Sequence, residues 1–147
     1  MPTTASIRPA TPPDLAPVLE LLREAGLSIP GVEEHFGDFL VAERGGRIVG
    51  AIGLELRGEH ALLRSAVVLP GERSAGVGAE LFRRIQAVAR SKGVTSLVLL
   101  TSSAEGYWAR HGFERIAREA APAAVRVSAE FNGSCPASAA VMRLGLG

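Results

Sequence analysis

One cysteine, Cys135, stands among 147 residues. A single thiol excludes an intrachain disulfide and fits a reducing compartment, so the cytoplasm is the expected location. Neither charge sign dominates: sixteen Lys and Arg face fifteen Asp and Glu. That balance removes the electrostatic case for nucleic acid or an anionic membrane as a partner. No apolar run approaches the roughly 20 residues that span a bilayer. Met1-Pro2-Thr3-Thr4-Ala5-Ser6 has no basic segment ahead of an apolar core, so no signal peptide is expected. His35, His60 and His111 lie far apart without zinc-site spacing, so no metal is expected and each reads as a loop or helix-end residue. Repeats, linkers and low-complexity tracts are missing too, leaving one domain over residues 1–147. With 47% hydrophobic and 21% charged residues, that domain is large and apolar enough to bury a core.

What is there alternates between strand-like and helical patterns. Ser6 to Pro9 reads as a short strand. Thr11-Pro12-Pro13-Asp14 opens a helix, with a capping threonine, prolines in the first turn and an acid three residues on. Leu15, Val18, Leu19 and Leu22 give that helix one apolar face, and Gly26 stops it. Residues 27–37 read as loop plus a helical turn. Phe39 to Ala42 and Arg47 to Leu56 form two strands across a Gly45-Gly46 hairpin turn. Ala61 to Leu69 is a further strand ending at Pro70. Leu81, Phe82, Ile85, Val88 and Ala89 then mark an amphipathic helix that ends at Lys92-Gly93. Ser96 to Leu100 reads as a buried strand, and a last strand is expected near Ala139 to Leu144.

Between the strand at 61–69 and the amphipathic helix lies Arg73-Ser74-Ala75-Gly76-Val77-Gly78. A glycine-rich turn at a helix N-terminus offers free N–H groups and the positive end of the helix dipole, which suits phosphate. The glycines let backbone approach an anion closely, and Arg73 adds a charge. Leu81 stands where the dinucleotide fingerprint needs its third glycine, and no G-K-[ST] follows for a P-loop. The remaining pattern, R-x-x-G-x-G behind Ala66-Val67-Val68-Leu69-Pro70, resembles the acetyl-CoA signature of the GNAT acetyltransferase superfamily. Ala104-Glu105-Gly106-Tyr107-Trp108-Ala109-Arg110-His111-Gly112-Phe113 is similar to that superfamily's second landmark, a short helix ending in Gly-Phe.

The resemblance implies a GNAT fold, an α/β domain whose mixed sheet splays between two central strands, here those ending near Leu69 and Ser102. It implies acetyl-CoA as cosubstrate, with the pantetheine arm along Ala66, Val67 and Val68. The pyrophosphate would lie on the amides of Arg73, Ser74, Ala75, Gly76, Val77, Gly78 and Ala79, with Ser103 a further candidate cofactor contact. The implied chemistry is attack of a neutral amine on a thioester, which asks for a base and a proton for the leaving thiolate. Superfamily members commonly donate that proton from a tyrosine five residues before the Phe of Gly-Phe. Trp108 occupies that place. Tyr107 is adjacent, but one helical step turns it by about 100°, which makes it a core residue or a displaced acid. Glu55, late in its strand, is the candidate base or a solvent-facing carboxylate.

The segment 122–138, with Arg126-Val127-Ser128-Ala129-Glu130-Phe131 and Ser134-Cys135-Pro136-Ala137-Ser138, resembles the GNAT proteins of arsenic-resistance operons, as do Leu62-Leu63-Arg64-Ser65 and Thr101-Ser102-Ser103. Arg126-x-Ser128 is also similar to the R-x-S with which N-acetylglutamate synthase domains hold a carboxylate, a geometry that suits a guanidinium fork. Arg64, at the strand parity of Ala66 and Val68, is a second candidate anion contact; a surface ion pair is the other reading of either arginine. The resemblance thus implies N-acetylation of a small amino-acid-like amine, including arsenic- or phosphorus-containing glutamate analogues. Acetylation of a protein amine, or a silent acyl-CoA-binding module, remain the rivals. A homodimer is compatible with all three. Cys135 reads as a small buried hydrophobe ahead of an arsenic ligand.

Overall fold

The computed structural model describes residues 5–146, with the side chains of Ser74 and Ala75 outside the description. Seven strands form one sheet in the order β1-β2-β3-β4-β5-β7-β6. They are β1 (Ser6–Pro9), β2 (Phe39–Arg44), β3 (Arg47–Arg57), β4 (His60–Val68), β5 (Ser96–Thr101), β6 (Glu114–Ile116) and β7 (Ala140–Gly145). Helices α1 (Leu15–Glu24), α2 (Val32–His35), α3 (Val77–Ser91), α4 (Glu105–Arg110) and α5 (Ala123–Arg126) complete it. Only β4 and β5 run parallel; the other neighbours are antiparallel. This is the splayed mixed sheet that the GNAT resemblance implies. No helix among the described residues is long and apolar enough to cross a membrane.

Local chemistry sets the elements. The Asp14 carboxylate accepts from the Thr11 N–H at 2.7 Å and from Thr11 Oγ1 at 2.9 Å, fixing the entry to α1. Arg8 pairs with the same carboxylate at 2.7 Å and tethers β1 to the turn. Val18, Leu21 and Leu22 are the buried residues of α1, and Leu15 and Leu19 flank them half-buried. The hairpin turn needs left-handed backbone twice, and Gly45 and Gly46 supply φ of 59° and 80°.

The sheet carries a core on each face. On one, Leu81, Phe82 and Ile85 of α3 and Trp108 of α4 pack on Leu54, Leu63, Leu97 and Met142. Trp108 stands edge-on to Phe82 at 5.4 Å and to Phe113 at 5.5 Å. On the other, α1 and α2 cover Val41, Ala51 and Val67, while Val125 of α5 covers Leu62, Val98 and Val141.

Two irregularities of β4 build the site. Its ladder with β5 covers His60–Leu62 against Ser96–Val98 and goes no further, so the two strands part beyond Leu62 and Val98. On its other edge the register jumps, pairing Ala51 with Val67 but Gly53 with Arg64. The extra residue is a bulge around Ser65, the one described non-glycine residue with positive φ, at 59°. The bulge corrects the expected parity. Arg64 shares the face of Val67, toward α1, whereas Ala66 and Val68 lie against the α3 core.

Candidate active site

A cleft of about 930 Å³ opens where β4 and β5 part. At one end it is lined by Ala66, Val67, Val68, Arg73, Gly76, Gly78, Ala79 and Ser103, the residues that the sequence pattern grouped around a phosphate-bearing ligand. The α3 helix starts at Val77, and its first α-type bond in the turn runs from the Glu80 N–H to the Gly76 carbonyl at 3.1 Å. The N–H groups of Val77, Gly78 and Ala79 therefore have no partner within the helix. Gly76 takes φ of 76°, a left-handed turn that a side chain would strain. Val77 turns its side chain into the core, so it can offer its amide alone. Arg73 is exposed and donates to the Val68 carbonyl at 3.3 Å. Ser74 and Ala75 have described backbone only.

Tyr107 and Trp108 take opposite places. Trp108 is buried between Phe82 and Phe113. Tyr107 is exposed and lines the cleft, and its hydroxyl lies 3.4 Å from where a Cβ on Gly78 would stand. The core reading of Tyr107 is thereby overturned: the one-step rotation that hides Trp108 brings the phenol to the glycine turn.

The far end is bounded by Ala25 to Ser28 after α1 and by the irregular turn Glu130–Ser134 with Cys135 and Pro136. The Ser28 hydroxyl donates to the Ser134 hydroxyl at 2.7 Å, joining the two segments across 106 residues of chain. Arg64 forms the floor. Its guanidinium donates to Glu55 at 2.6 Å, to the Ser28 carbonyl at 3.1 Å and to Ser65 Oγ at 3.1 Å, and is fully buried. Gly31, with φ of 91°, lets the chain pass over this pair; a Cβ there would meet Arg64 Nη1 at 2.6 Å.

Glu55 is not the water-facing carboxylate of the sequence reading. It is 1% exposed, receives Arg64 at 2.6 Å and Arg57 at 2.7 Å, and does not line the cleft. Burial pushes its pKa up, but the hydrogen bonds from Arg57, Arg64 and Ser128 outweigh that and hold it below its ordinary value. A carboxylate clamped this way is a weak proton acceptor. The Arg126-x-Ser128 pair does not converge either. Arg126 is exposed outside the cleft and spends its Nε on the Ala121 carbonyl at 3.1 Å. Ser128 is fully buried, and its Oγ accepts the Glu130 N–H at 3.2 Å. On the four-residue α5 and the bend after it, two positions apart means opposite sides of the backbone.

The residue that sequence reading passed over is Glu130. It is 6% exposed, lines the cleft, and lies 3.5 Å from Arg64 Nε. Burial raises its pKa to about 7, offset in part by the Arg64 charge. Cys135 beside it is pushed up to about 11, first by burial and then by the Glu130 charge. An ionisable residue inside a small apolar segment was the available signal. Among the described residues no cluster of His, Cys, Asp and Glu fits a metal.

Comparison with known proteins agrees with this fold. Residues 35–115 match the family model of the acetyltransferase (GNAT) domain. An amino-acid acetyltransferase of Azotobacter vinelandii is 34% identical over 130 residues, which cover 80% of this chain and 29% of that protein. An N-acetyltransferase of Chlorobaculum tepidum is 31% identical over 96 residues, 65% of this chain and 61% of that protein. The chain thus spans less than a third of the amino-acid acetyltransferase it matches. N-acetylglutamate synthase from Neisseria gonorrhoeae, complexed with coenzyme A and N-acetyl-glutamate, superposes over all of this chain and 36% of its own, with a TM-score of 0.84 at 22% identity. A Mycobacterium tuberculosis protein in complex with CoA covers 97% of this chain and 99% of its own, with a TM-score of 0.81 at 24% identity. At those identities the structural likeness speaks for the fold. The family match, the splayed sheet and the glycine turn together make one statement: the chain belongs to the GNAT acetyltransferase domain family.

Proposed function

We propose that this chain transfers the acetyl group of acetyl-CoA, the family's cosubstrate, to the amino group of a small amino-acid-like acceptor. The observation that carries the reading is one continuous cleft with two chemically different ends. At the first, the free amides of Val77, Gly78 and Ala79 and the unpaired edge of β4 suit a pyrophosphate and an amide-bearing arm. Charge-assisted hydrogen bonds of this kind contribute about 1.5–3 kcal/mol each. The cosubstrate supplies the activated acyl carbon; the chain supplies orientation and proton handling. Tyr107, first weighed as a displaced acid, has its hydroxyl at the glycine turn, so it would meet the pyrophosphate end of the cosubstrate and leave the departing sulfur to the acceptor end. At the second end Arg64 and Glu130 present opposite charges 3.5 Å apart. An amino acid carries ammonium and carboxylate at a comparable separation, so a zwitterion complements that pair. Arg64 takes the carboxylate-binding role first assigned to Arg126 and Ser128, and Glu55 acts as a positioning residue that fixes it.

The Ser28–Ser134 link joins the two segments that bound the second end, an arrangement that favours a small acceptor over an extended protein amine. The likeness to amino-acid acetyltransferases supports the same class. The resistance role implied by the arsenic-operon resemblance is the narrower form of this reading, with an arsono or phosphono analogue of glutamate as acceptor. The test is thiol release from acetyl-CoA over L-glutamate, L-aspartate, L-glutamine, those two analogues and a lysine peptide. Selective turnover of an amino acid or analogue supports the reading. Turnover of the peptide alone, or CoA binding without turnover, rejects it.

A further inference from the structure

We infer that Glu130, from the turn ahead of β7, is the general base that deprotonates the acceptor amine. This rests on the amine-acetylating reading and adds the residue that performs the proton transfer. A base must touch the acceptor, hold a proton near neutral pH and have no stronger structural engagement. Glu130 is the one carboxylate lining the cleft among the described residues. His111 lines it at the other end and packs its ring on Phe82 and Tyr107, at 5.0 and 4.7 Å between centroids. Cys135 shares the acceptor end, but its thiol stays protonated at neutral pH.

The competing role for Glu130 is counter-charge to Arg64. Arg64 does not require it. Glu55 already neutralises the guanidinium at 2.6 Å, and Ser28 and Ser65 take further donors. Glu130 stands back at 3.5 Å, outside direct hydrogen bonding, with its own N–H anchored on Ser128. Its carboxylate is therefore positioned by backbone and lightly engaged by the Cys135 thiol, a weak donor that an acceptor amine can displace. The titratable groups around it are Arg64 from β4, Glu55 from β3 behind that arginine, and the neutral Cys135 thiol from its own segment. Arg64 favours the carboxylate while burial and Glu55 favour the acid, and the opposition leaves Glu130 titrating near neutrality. In the step, the acceptor ammonium gives one proton to Glu130. The freed lone pair forms the C–N bond to the acyl carbon as the C–S bond breaks. The second nitrogen proton goes to the departing sulfur, and Glu130 returns its proton to solvent through the open cleft. The balance is one amide, one thiol and one proton released.

Two measurements test this. The first is the pH profile of kcat/KM for wild type, Glu130→Gln and Glu130→Asp with the best acceptor of the panel above. Glu130→Gln should lose about 10²–10³-fold at pH 7 and lose the rising limb centred near that pH. Glu130→Asp should keep the limb at reduced rate. The second needs no turnover: alkylation of Cys135 by iodoacetamide across pH, without acetyl-CoA. In wild type the midpoint should lie far above that of a free thiol, and Glu130→Gln should lower it by removing the neighbouring charge. A Gln variant within threefold of wild type with an unchanged limb overturns the assignment, as does an unaltered Cys135 profile. An active wild type with an unaffected variant sinks this inference alone, whereas a wild type inert on every amine sinks the function beneath it.

Discussion

At the scale of single residues, the division of labour between arginines is the sharpest claim. Arg64 is buried beneath the cleft and donates to Glu55 through Nη1, while Arg126 sits outside the cleft on a backbone carbonyl. Arg64→Lys keeps the charge but loses the planar fork that serves Glu55, Ser28 and Ser65 together. It should raise KM for an acidic acceptor at least tenfold. Arg126→Ala should change it by less than twofold, and the reverse ranking in steady-state kinetics would restore the R-x-S assignment. Glu55→Ala should be severe in a different way. Removing one partner of a buried pair strands the other, at about 3–5 kcal/mol, so this variant should lose stability in chemical denaturation as well as turnover. Sequence reading weighed Arg64 and passed over Glu130 for one physical reason. A strand carries its own periodicity, so Arg64 could be weighed on a face. Glu130 lies on an irregular turn, and its meeting with β4 is set by tertiary packing that no local pattern encodes. Even for Arg64 the parity was misread, because the bulge at Ser65 leaves no mark in residue type.

At the scale of elements, α3 was legible in the chain and the faces of α4 were not. The apolar spacing of α3 placed Leu81, Phe82, Ile85 and Ala89 in the core, and the glycine turn before it marked where the helix and its free N-terminal amides begin. The α4 helix is six residues long, too short for a clear period, so Tyr107 and Trp108 were distinguishable only once their neighbours were known. Trp108→Ala should cost about 3–5 kcal/mol, since it empties the space against Phe82 and Phe113. Tyr107→Phe should leave the melting temperature nearly unchanged while raising KM for acetyl-CoA a few-fold in steady-state kinetics, because only the hydroxyl facing Gly78 is lost. Gly78 itself gives a prediction with two signs. A Cβ there would meet Tyr107 Oη at 3.4 Å and Val68 Cγ2 at 3.5 Å, ordinary contacts that the fold tolerates. Alanine is the better helix former by about 1 kcal/mol, so Gly78→Ala should stabilise the free protein. The same methyl group intrudes where a pyrophosphate must approach the amides, so CoA affinity should fall about tenfold by calorimetry. A variant that gains stability and keeps its affinity would remove the glycine turn from the binding site.

At the scale of the whole molecule, three buried carboxylates pull stability in opposite directions with pH. Asp14 is held well below its usual range, foremost by the hydrogen bonds from Arg8, and Glu55 is held below its ordinary value. Lowered groups of this kind stabilise the fold above the ordinary carboxylate pKa, and their contribution disappears as pH falls through the folded value. Glu130 has the reverse sign. Its folded pKa, about 7, exceeds the unfolded value of 4.5, so the fold binds a proton that the unfolded chain has released. That contribution is complete below pH 4.5 and is lost as pH rises through 7. One pKa unit corresponds to about 1.4 kcal/mol, so the loss amounts to a few kcal/mol at most. Superposed, the two trends predict a maximum in melting temperature near pH 5, a steep fall in acid and a gentler fall toward pH 8. Thermal melts of Glu130→Gln over the same range isolate the third carboxylate. The alkaline decline should vanish, and the variant should be more stable than wild type at pH 8 while turning over far more slowly. A melting temperature that rises from pH 5 to 8, or a decline that survives the substitution, would mean that Glu130 is ionised throughout and free of strain. A site that carries such a strained carboxylate at its acceptor end trades stability for a base poised at the pH where it must work.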